Sequence, residues 1–327
     1  MTTQIEDLIA RQLQERKERL EGAVSKSNRP DEIGRLIRDI DRALDKISNG
    51  EYGLCETCHD SIETETLAAD PLARYCIEHL SAAERHALER DLSLARQIQT
   101  GLLPRKNIPL PGWLSAYHYE PYGEVSGDYL DIIFPDNDLE SFLFVIGDVS
   151  GKGIAASMLM SQLHATFRTL AGIGLSIDLL TERANRIFCG ASLSTHFATL
   201  VSGIAHRDGE VRVVNAGHCP PIVLRSTGTE VIASSGLPLG ITCDGIYKTE
   251  SFRLEKGESL ILYTDGLSEA TGISGGMYGE DRLRKVLSGH AGDPPDALTF
   301  ACLKDLDLFA GSGRRADDLT LLALRRG

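Results

Sequence analysis

The chain has 327 residues, 42% of them hydrophobic and 25% charged, and a formal net charge of −13. The composition is typical of a globular protein of about two domains of ~150 residues each, and its acidity disfavours non-specific nucleic-acid binding, which needs clustered Lys and Arg. No apolar segment approaches the ~20 residues that cross a bilayer, and the N-terminus lacks the basic start and apolar core of a signal peptide, so we expect a cytoplasmic protein without membrane contact.

Residues 1–48 are predicted to form an antiparallel helical hairpin. Pro30-Asp-Glu32 suits the first turn of the second helix, with acids near the positive end of its dipole. The polar segment Ser25–Arg29 separates this helix from an earlier and weaker helical pattern. The apolar stripe of the second helix, at spacings of 3 and 4, consists of Ile33, Leu36, Ile37, Ile40, Ala43, Leu44 and Ile47.

Two knuckles of metal-binding residue types follow the hairpin. Cys55-Glu-Thr-Cys58 is followed after 17 residues by Cys76-Ile-Glu-His79. Two Cys-x-x-ligand pairs at this separation match a structural zinc site, so we predict one zinc ion bound by Cys55, Cys58, Cys76 and His79. One alternative is that His59 is the fourth ligand. This is disfavoured because His59 is adjacent to Cys58, and its ring could turn to the same ion only with difficulty. The other alternative is three unrelated buried cysteines.

The hairpin and the motif Asn49-Gly-Glu-Tyr-Gly-Leu-Cys55, with its second cysteine knuckle, resemble the DksA/TraR zinc-finger family over residues 30–80. His79 departs from the cysteines typical of that family. Some relatives bind the secondary channel of RNA polymerase through acidic residues at the hairpin tip, whereas the tip here, Ser25–Arg29, is basic and polar. RNA polymerase is therefore retained only as an alternative partner.

Residues 81–103 are predicted to form a connector helix. Ser81-Ala-Ala-Glu84 is a capping-box pattern, and Pro104 ends the helix. A short heptad seam, interrupted at Asp91, consists of Leu88, Ala95, Ile98 and Leu102. Two interpretations remain open: the helix packs on its own domain, or it forms a parallel coiled coil that joins two copies into a homodimer.

The pattern changes from Leu110 onward. Strand-like apolar runs are 142–146, 197–205, 211–215, 221–225, 259–263 and 319–324. Helical patterns are 155–171, 177–189, 280–287 and 295–310. Strands in hairpins, with helices grouped between them, predict an α+β layered domain. We therefore divide the chain into a hairpin with zinc finger at 1–80, the connector at 81–103, and an α+β domain at 104–327.

Four aspartates in this domain stand beside glycine or another aspartate at strand edges: Asp128, Asp148, Asp265 and Asp317. Each one alone is more often a turn residue than a ligand. Carboxylates brought together repel one another unless cations lie between them, and an all-oxygen set without histidine favours Mg or Mn over zinc. Two such ions can activate a shared water for attack on phosphorus, which predicts hydrolysis of a phosphomonoester without a covalent intermediate.

Six motifs in one order closely resemble the bacterial SpoIIE-like phosphatases, a branch of the metal-dependent type-2C (PPM) protein Ser/Thr phosphatases, over residues 95–327. The motifs are 126–131, 147–153, 215–221, 237–240, 263–269 and 317–320. The resemblance implies an αββα sandwich whose central sheets hold two Mn or Mg ions. Matching the motifs implies that Asp148 bridges both ions, with the Val149 carbonyl as an additional ligand. Asp128 would then serve one ion, and Asp265 and Asp317 the other.

Three further residues of these motifs are candidates for roles near the aspartates. Asp318 falls where some relatives have asparagine, so we expect it to support the ligands. Lys152 is a candidate for binding the substrate phosphate, because the phosphate-binding arginine of eukaryotic members has no match here. The alternative for Lys152 is a solvated turn residue. We expect His218 to be structural, with a general acid as the alternative.

The resemblance implies hydrolysis of phosphoserine or phosphothreonine on a regulatory protein, which in this family is often an anti-sigma-factor antagonist of a partner-switching pathway. The zinc module and connector would then gate this activity. Two alternatives remain: a catalytically silent regulatory binding protein, and an RNA-polymerase-binding transcription regulator that acts through the zinc module.

Overall fold

The computed structural model describes residues 3–24, 30–76, 79, 82–135, 138, 140–191, 196–273, 275–311 and 316–327. The chain divides into two compact units, Met1–Asp91 and Leu92–Gly327. None of the helices in the described ranges is long and apolar enough to cross a membrane. The predicted hairpin tip at 25–29 and Ser81 of the predicted capping box lie outside the described residues.

The first unit contains the predicted helical hairpin. Helices α1 (Thr3–Val24) and α2 (Pro30–Ser48) pack on each other, with Leu13 and Ile40 buried between them. Lys17 Nζ and an Asp41 carboxylate oxygen form an ion pair of 2.6 Å across the hairpin. The short helix α3 (Thr64–Ala69) follows, and then α4 (Ala82–Leu102), within which the boundary between the two units falls.

The second unit is built on two five-stranded sheets in which all neighbouring strands are antiparallel. The first sheet has the order β1-β10-β9-β6-β7, and the second has the order β2-β3-β4-β5-β8. The strands are β1 (Trp113–Glu120), β2 (Asp128–Ile133), β3 (Ser141–Val149), β4 (Ala198–His206), β5 (Glu210–Ala216), β6 (Ile222–Arg225), β7 (Gly228–Val231), β8 (Glu250–Arg253), β9 (Ser259–Tyr263) and β10 (Leu319–Arg326).

Helices cover the outer face of each sheet. On the second sheet lie α5 (Ile154–Ala171) and α6 (Ile177–Ala191), and on the first lie α8 (Glu280–Ser288) and α9 (Pro295–Ala310), while α7 (Asp265–Ser268) is a single turn. Residues 142–146 of β3 are all apolar because both faces of this strand are covered: Phe144 packs between the sheets, and Val145 packs under α5 and α6. The resulting αββα sandwich confirms the predicted α+β fold class.

Strands β1, β2, β7 and β8 were not predicted. Strand β2 is fully buried although it contains two aspartates. Asp131 is 0% exposed and accepts two hydrogen bonds of 2.9 Å from the Arg168 guanidinium of α5. This pairing compensates the buried charge, and it depends on a residue 37 positions away, so the local sequence of β2 does not reveal it.

Candidate active site

Antiparallel pairing brings the predicted aspartates to one end of the sandwich. Asp128 opens β2 and is paired directly with Asp148, near the end of β3. In the other sheet, Asp265 follows β9 and Asp317 precedes β10, and these two strands are also antiparallel neighbours. In an antiparallel pair, the start of one strand lies beside the end of its neighbour. Each sheet therefore brings two of the aspartates together at this end of the sandwich.

Asp128 joins the two sheets at this edge. Its side chain is buried, and Oδ2 accepts hydrogen bonds from the hydroxyl of Thr264 at 2.9 Å and from the hydroxyl of Thr320. Thr264 immediately precedes Asp265, and Thr320 lies three residues after Asp317. Both threonines lie within the motifs 263–269 and 317–320, but their contact with Asp128 was not predicted.

The carboxylates of the site destabilise the ionised form of their neighbours. Burial, followed by the Asp148 carboxylate, raises the pKa of Asp128 well above its usual range. Burial, followed by Asp265 and Asp317, raises the pKa of Asp148 to about 8. Burial and then Asp317 raise the pKa of Asp265. A group of buried and partly buried carboxylates with this mutual repulsion has the donor chemistry that a hard divalent cation compensates, so the residues fit Mg or Mn.

Gly127 allows the start of β2 to approach the end of β3. Its carbonyl oxygen accepts the N–H of Val149 at 3.3 Å. A Cβ atom at Gly127 would lie 2.9 Å from the carbonyl oxygen of Val149. The Val149 carbonyl, predicted as an additional ligand, therefore lies directly beside the backbone that precedes Asp128.

Asp318 uses both of its carboxylate oxygens on backbone groups. Oδ1 accepts the N–H of Tyr122 at 2.7 Å, and Oδ2 accepts the N–H of Gly127 at 2.8 Å. It thereby connects the start of β10 to the segment before β2. This arrangement is what a residue that supports the ligands would show, rather than a ligand with free oxygens.

Lys152 lies against the site. Its Nζ is 3.1 Å from Asp317 Oδ2, donates a hydrogen bond to the Ala316 carbonyl oxygen, and lies 4.9 Å from the centre of the Tyr122 ring. Half of the side chain remains exposed to solvent. A lysine in this position compensates part of the local negative charge and can still reach a phosphate outside the site.

His218 is buried beneath the edge of the site. Its Nδ1 and the Thr199 hydroxyl are 2.8 Å apart, and Thr199 is paired with Asp148 in the sheet. Asn215 accepts the His218 N–H at 2.8 Å and donates to the His218 carbonyl oxygen at 3.2 Å. Burial lowers the pKa of His218 to about 4, so the ring is neutral near pH 7. These contacts agree with a structural residue.

The first unit contains a separate group of potential metal ligands. One ligand atom each from Cys55, Cys58, Cys76 and His79 lies within 4.8 Å of all the others. His59 is not part of this group; its φ of 59° belongs to the tight turn after Cys58. Three sulfurs and one imidazole at this separation have the donor types and number of a tetrahedral zinc site.

Glu56 links the two knuckles that carry these ligands. Its carboxylate accepts a hydrogen bond of 2.9 Å from Arg74 Nε, and its N–H donates to the Arg74 carbonyl oxygen at 3.0 Å. Lys46, at the end of α2, is 3.3 Å from the same carboxylate. The Arg74 hydrogen bonds are the main reason that the pKa of Glu56 falls to about 2.

Comparison with known proteins supports the fold. The family model of Stage II sporulation protein E (SpoIIE) matches residues 139–327. Protein IcfG of Synechocystis sp. is 27% identical over 266 residues, which are 72% of this chain and 41% of IcfG. Phosphoserine phosphatase RsbU of Bacillus subtilis is 27% identical over 252 residues, 73% of this chain and 71% of RsbU. The chain thus spans less than half the length of IcfG.

A solved structure shows the same architecture. The RsbU and RsbW domains of Rv1364c from Mycobacterium tuberculosis superpose with a TM-score of 0.57 at 28% identity, covering 66% of this chain and 60% of that one. The SpoIIE family model covers more than half of the chain and includes Asp148, Asp265 and Asp317. Together with the αββα sandwich, this match shows that the chain belongs to the SpoIIE family.

Proposed function

We propose that this protein is a metal-dependent protein serine/threonine phosphatase. The observation that carries the proposal is the convergence of Asp128, Asp148, Asp265 and Asp317, from four separate parts of the chain, at one edge of the sandwich. The raised pKa values of Asp128, Asp148 and Asp265 and the all-oxygen chemistry of the four carboxylates fit two Mn or Mg ions.

In this proposal each side chain has a distinct role. Asp148 would hold both ions, assisted by the Val149 carbonyl, while Asp128 would hold one ion and Asp265 and Asp317 would hold the other. When bound, ions at these residues would activate a water for attack on phosphorus. Lys152 would turn from Asp317 to the substrate phosphate when cations neutralise that carboxylate, and Asp318 holds the backbone around Gly127.

We infer the substrate class from the relatives. RsbU is named a phosphoserine phosphatase, and we propose that this chain likewise acts on phosphoserine or phosphothreonine of a regulatory protein, an anti-sigma-factor antagonist in a partner-switching pathway. We further propose a cytoplasmic protein that forms a homodimer through α4 and makes no direct contact with membrane or nucleic acid.

For the N-terminal part we propose a structural zinc ion at Cys55, Cys58, Cys76 and His79. The supporting observation is the closeness of these four ligand atoms. We retain the domain bounds 1–80, 81–103 and 104–327 and propose that the zinc module gates the phosphatase through the connector.

Mn-dependent hydrolysis of p-nitrophenyl phosphate and of a phosphoserine peptide by the purified chain tests the proposed activity. We expect Asp148→Ala and Asp265→Ala to reduce kcat by at least about a thousandfold, because each removes a ligand of the ions that would activate the water. Exposed Asp281→Ala, on α8, is the matched control and should retain wild-type activity. No hydrolysis by the wild-type chain with saturating Mn would instead favour a catalytically silent binding protein.

A further inference from the structure

The side-chain amide of Gln99, on α4, is buried against the backbone of Ser126. Gln99 is only 5% exposed, whereas its helix neighbours Leu94 and Ile98 are 56% and 60% exposed. Gln99 Nε2 donates to the Ser126 carbonyl oxygen at 2.7 Å, and Gln99 Oε1 accepts the Ser126 N–H at 2.9 Å. One side chain therefore satisfies both backbone polar groups of Ser126, as an adjacent β-strand would.

Ser126 in turn fixes the backbone that carries Asp128. Ser126 is fully buried, and its hydroxyl oxygen accepts the N–H of Asp128 at 3.0 Å. Gly127, between them, donates to Asp318 Oδ2 and accepts from the N–H of Val149. Residues 126–128 are thus held from three directions, by α4, by the end of β3 and by the residue before β10.

Ser126, which Gln99 contacts, lies two residues before Asp128. The Gln99 contact differs from the other two restraints in the element that provides it. Asp318 and Val149 belong to the sandwich itself, while Gln99 belongs to the helix that leads into it. If this contact is lost, two buried backbone groups of Ser126 lose their partners, and the segment gains freedom on the α4 side. Cation binding must then order this segment again, and the free energy of that ordering is subtracted from the binding free energy.

We propose that Gln99 is a positioning residue that sets the divalent-cation affinity of the aspartate site by fixing residues 126–128. The proposal rests on the proposed function, because it takes Asp128 as a metal ligand. It also identifies the contact through which a displacement of α4 would change metal loading. A purely structural Gln99 would lower folding stability and leave the cation affinity unchanged.

The test compares Gln99→Met with Gln97→Met in the full chain. Methionine has nearly the length of glutamine but makes neither hydrogen bond, and Gln97 is an exposed residue of the same helix. Mn²⁺ binding is measured by isothermal titration calorimetry, and kcat by p-nitrophenyl phosphate hydrolysis at saturating Mn²⁺. We expect Gln99→Met to raise the Kd for Mn²⁺ about tenfold and to keep kcat within about twofold, with Gln97→Met at wild-type values.

Wild-type Mn²⁺ affinity in folded Gln99→Met, checked by circular dichroism, would overturn the proposal, as would a large loss of kcat at saturating Mn²⁺. If Gln99→Met does not fold, Gln99→Glu replaces it, since it keeps the acceptor for the Ser126 N–H and loses the donor. A weakened affinity in that variant supports the proposal, and an unchanged one contradicts it. A wild-type chain that binds Mn²⁺ without hydrolysing phosphoesters would contradict the proposed function alone.

Discussion

Gly266 stands where a single methyl group would collide with the backbone of the neighbouring strand. A Cβ atom there would lie 1.8 Å from the carbonyl oxygen of Asp318, whose side chain is fixed by two N–H groups. We expect Gly266→Ala to destabilise the protein by about 2 kcal/mol or more and to displace Asp265, because neither backbone can yield easily.

Urea denaturation and Mn²⁺ titration of Gly266→Ala measure these two effects. Gly276→Ala is the control, since a Cβ atom there meets nothing within 4 Å. We expect this control to be neutral or slightly stabilising. Equal stability of the two variants would show that the Gly266 turn relaxes at no cost.

At the scale of single residues, the sequence predicted which aspartates the fold brings together better than it predicted what they contact. The four aspartates were found because each is part of a local motif. The hydroxyl of Thr320 meets Asp128 from 192 residues further along the chain, and Gln99 meets Ser126 across 27 residues. Such contacts depend on the packing of whole elements, so no local pattern reveals them.

At the scale of elements, α8 and α9 are joined by a charged cluster on the outside of the sandwich. Asp305 of α9 accepts hydrogen bonds from Arg282 Nε at 2.7 Å, from Arg282 Nη2 at 3.0 Å and from the Tyr278 hydroxyl at 2.8 Å. These bonds, those of Arg282 first, lower the pKa of Asp305. We expect Asp305→Asn to lower the free energy of unfolding by about 1 kcal/mol at pH 7.

The stabilisation by Asp305 should depend on pH in a defined direction. A carboxyl whose pKa is lower in the folded state stabilises the protein above its unfolded pKa of about 3.9, and the stabilisation is lost as the pH falls through the folded pKa. The difference between wild type and Asp305→Asn should therefore be constant from pH 7 to 5, begin to shrink near the unfolded pKa of about 3.9, and be lost only below the folded pKa. A difference that grows on acidification would contradict the assignment, and a double-mutant cycle with Arg282→Gln measures the coupling.

Elements with strong apolar runs or helical periodicity were predicted closely. Helix α9 was predicted at 295–310 and is observed at Pro295–Ala310. Strands β7 and β8 have only four residues each and no apolar run, so they could not be distinguished from loops. Strand β2 was missed for a different reason, because its buried Asp131 is compensated by Arg168 of another element.

At the scale of the whole molecule, the two units should respond differently to chelation. The buried apolar group of the first unit is small, and two of its members are the candidate zinc ligands Cys55 and Cys76. Small domains often depend on a metal for stability. We expect a zinc chelator, or Cys58→Ser, to lower the unfolding temperature of the first unit by 10 °C or more.

Differential scanning calorimetry with and without the chelator measures this effect, and the unfolding transition of residues 92–327 serves as internal reference. Cys243→Ser, at an exposed cysteine of the second unit, should change neither transition. An unchanged first transition in the chelated protein, with zinc shown absent by elemental analysis, would contradict a structural zinc ion.

The position of β10 has a consequence for synthesis of the protein. Strand β10 lies between β1 and β9; Asp317 lies two residues before it, and Thr320 is its second residue. During synthesis, about 200 residues separate β1 from its partner strand β10. Asp128, Asp148 and Asp265 are therefore synthesised before Asp317. The set of four aspartates can therefore be completed only after β10 has been synthesised, and a product that ends before residue 317 would lack one of the proposed metal ligands.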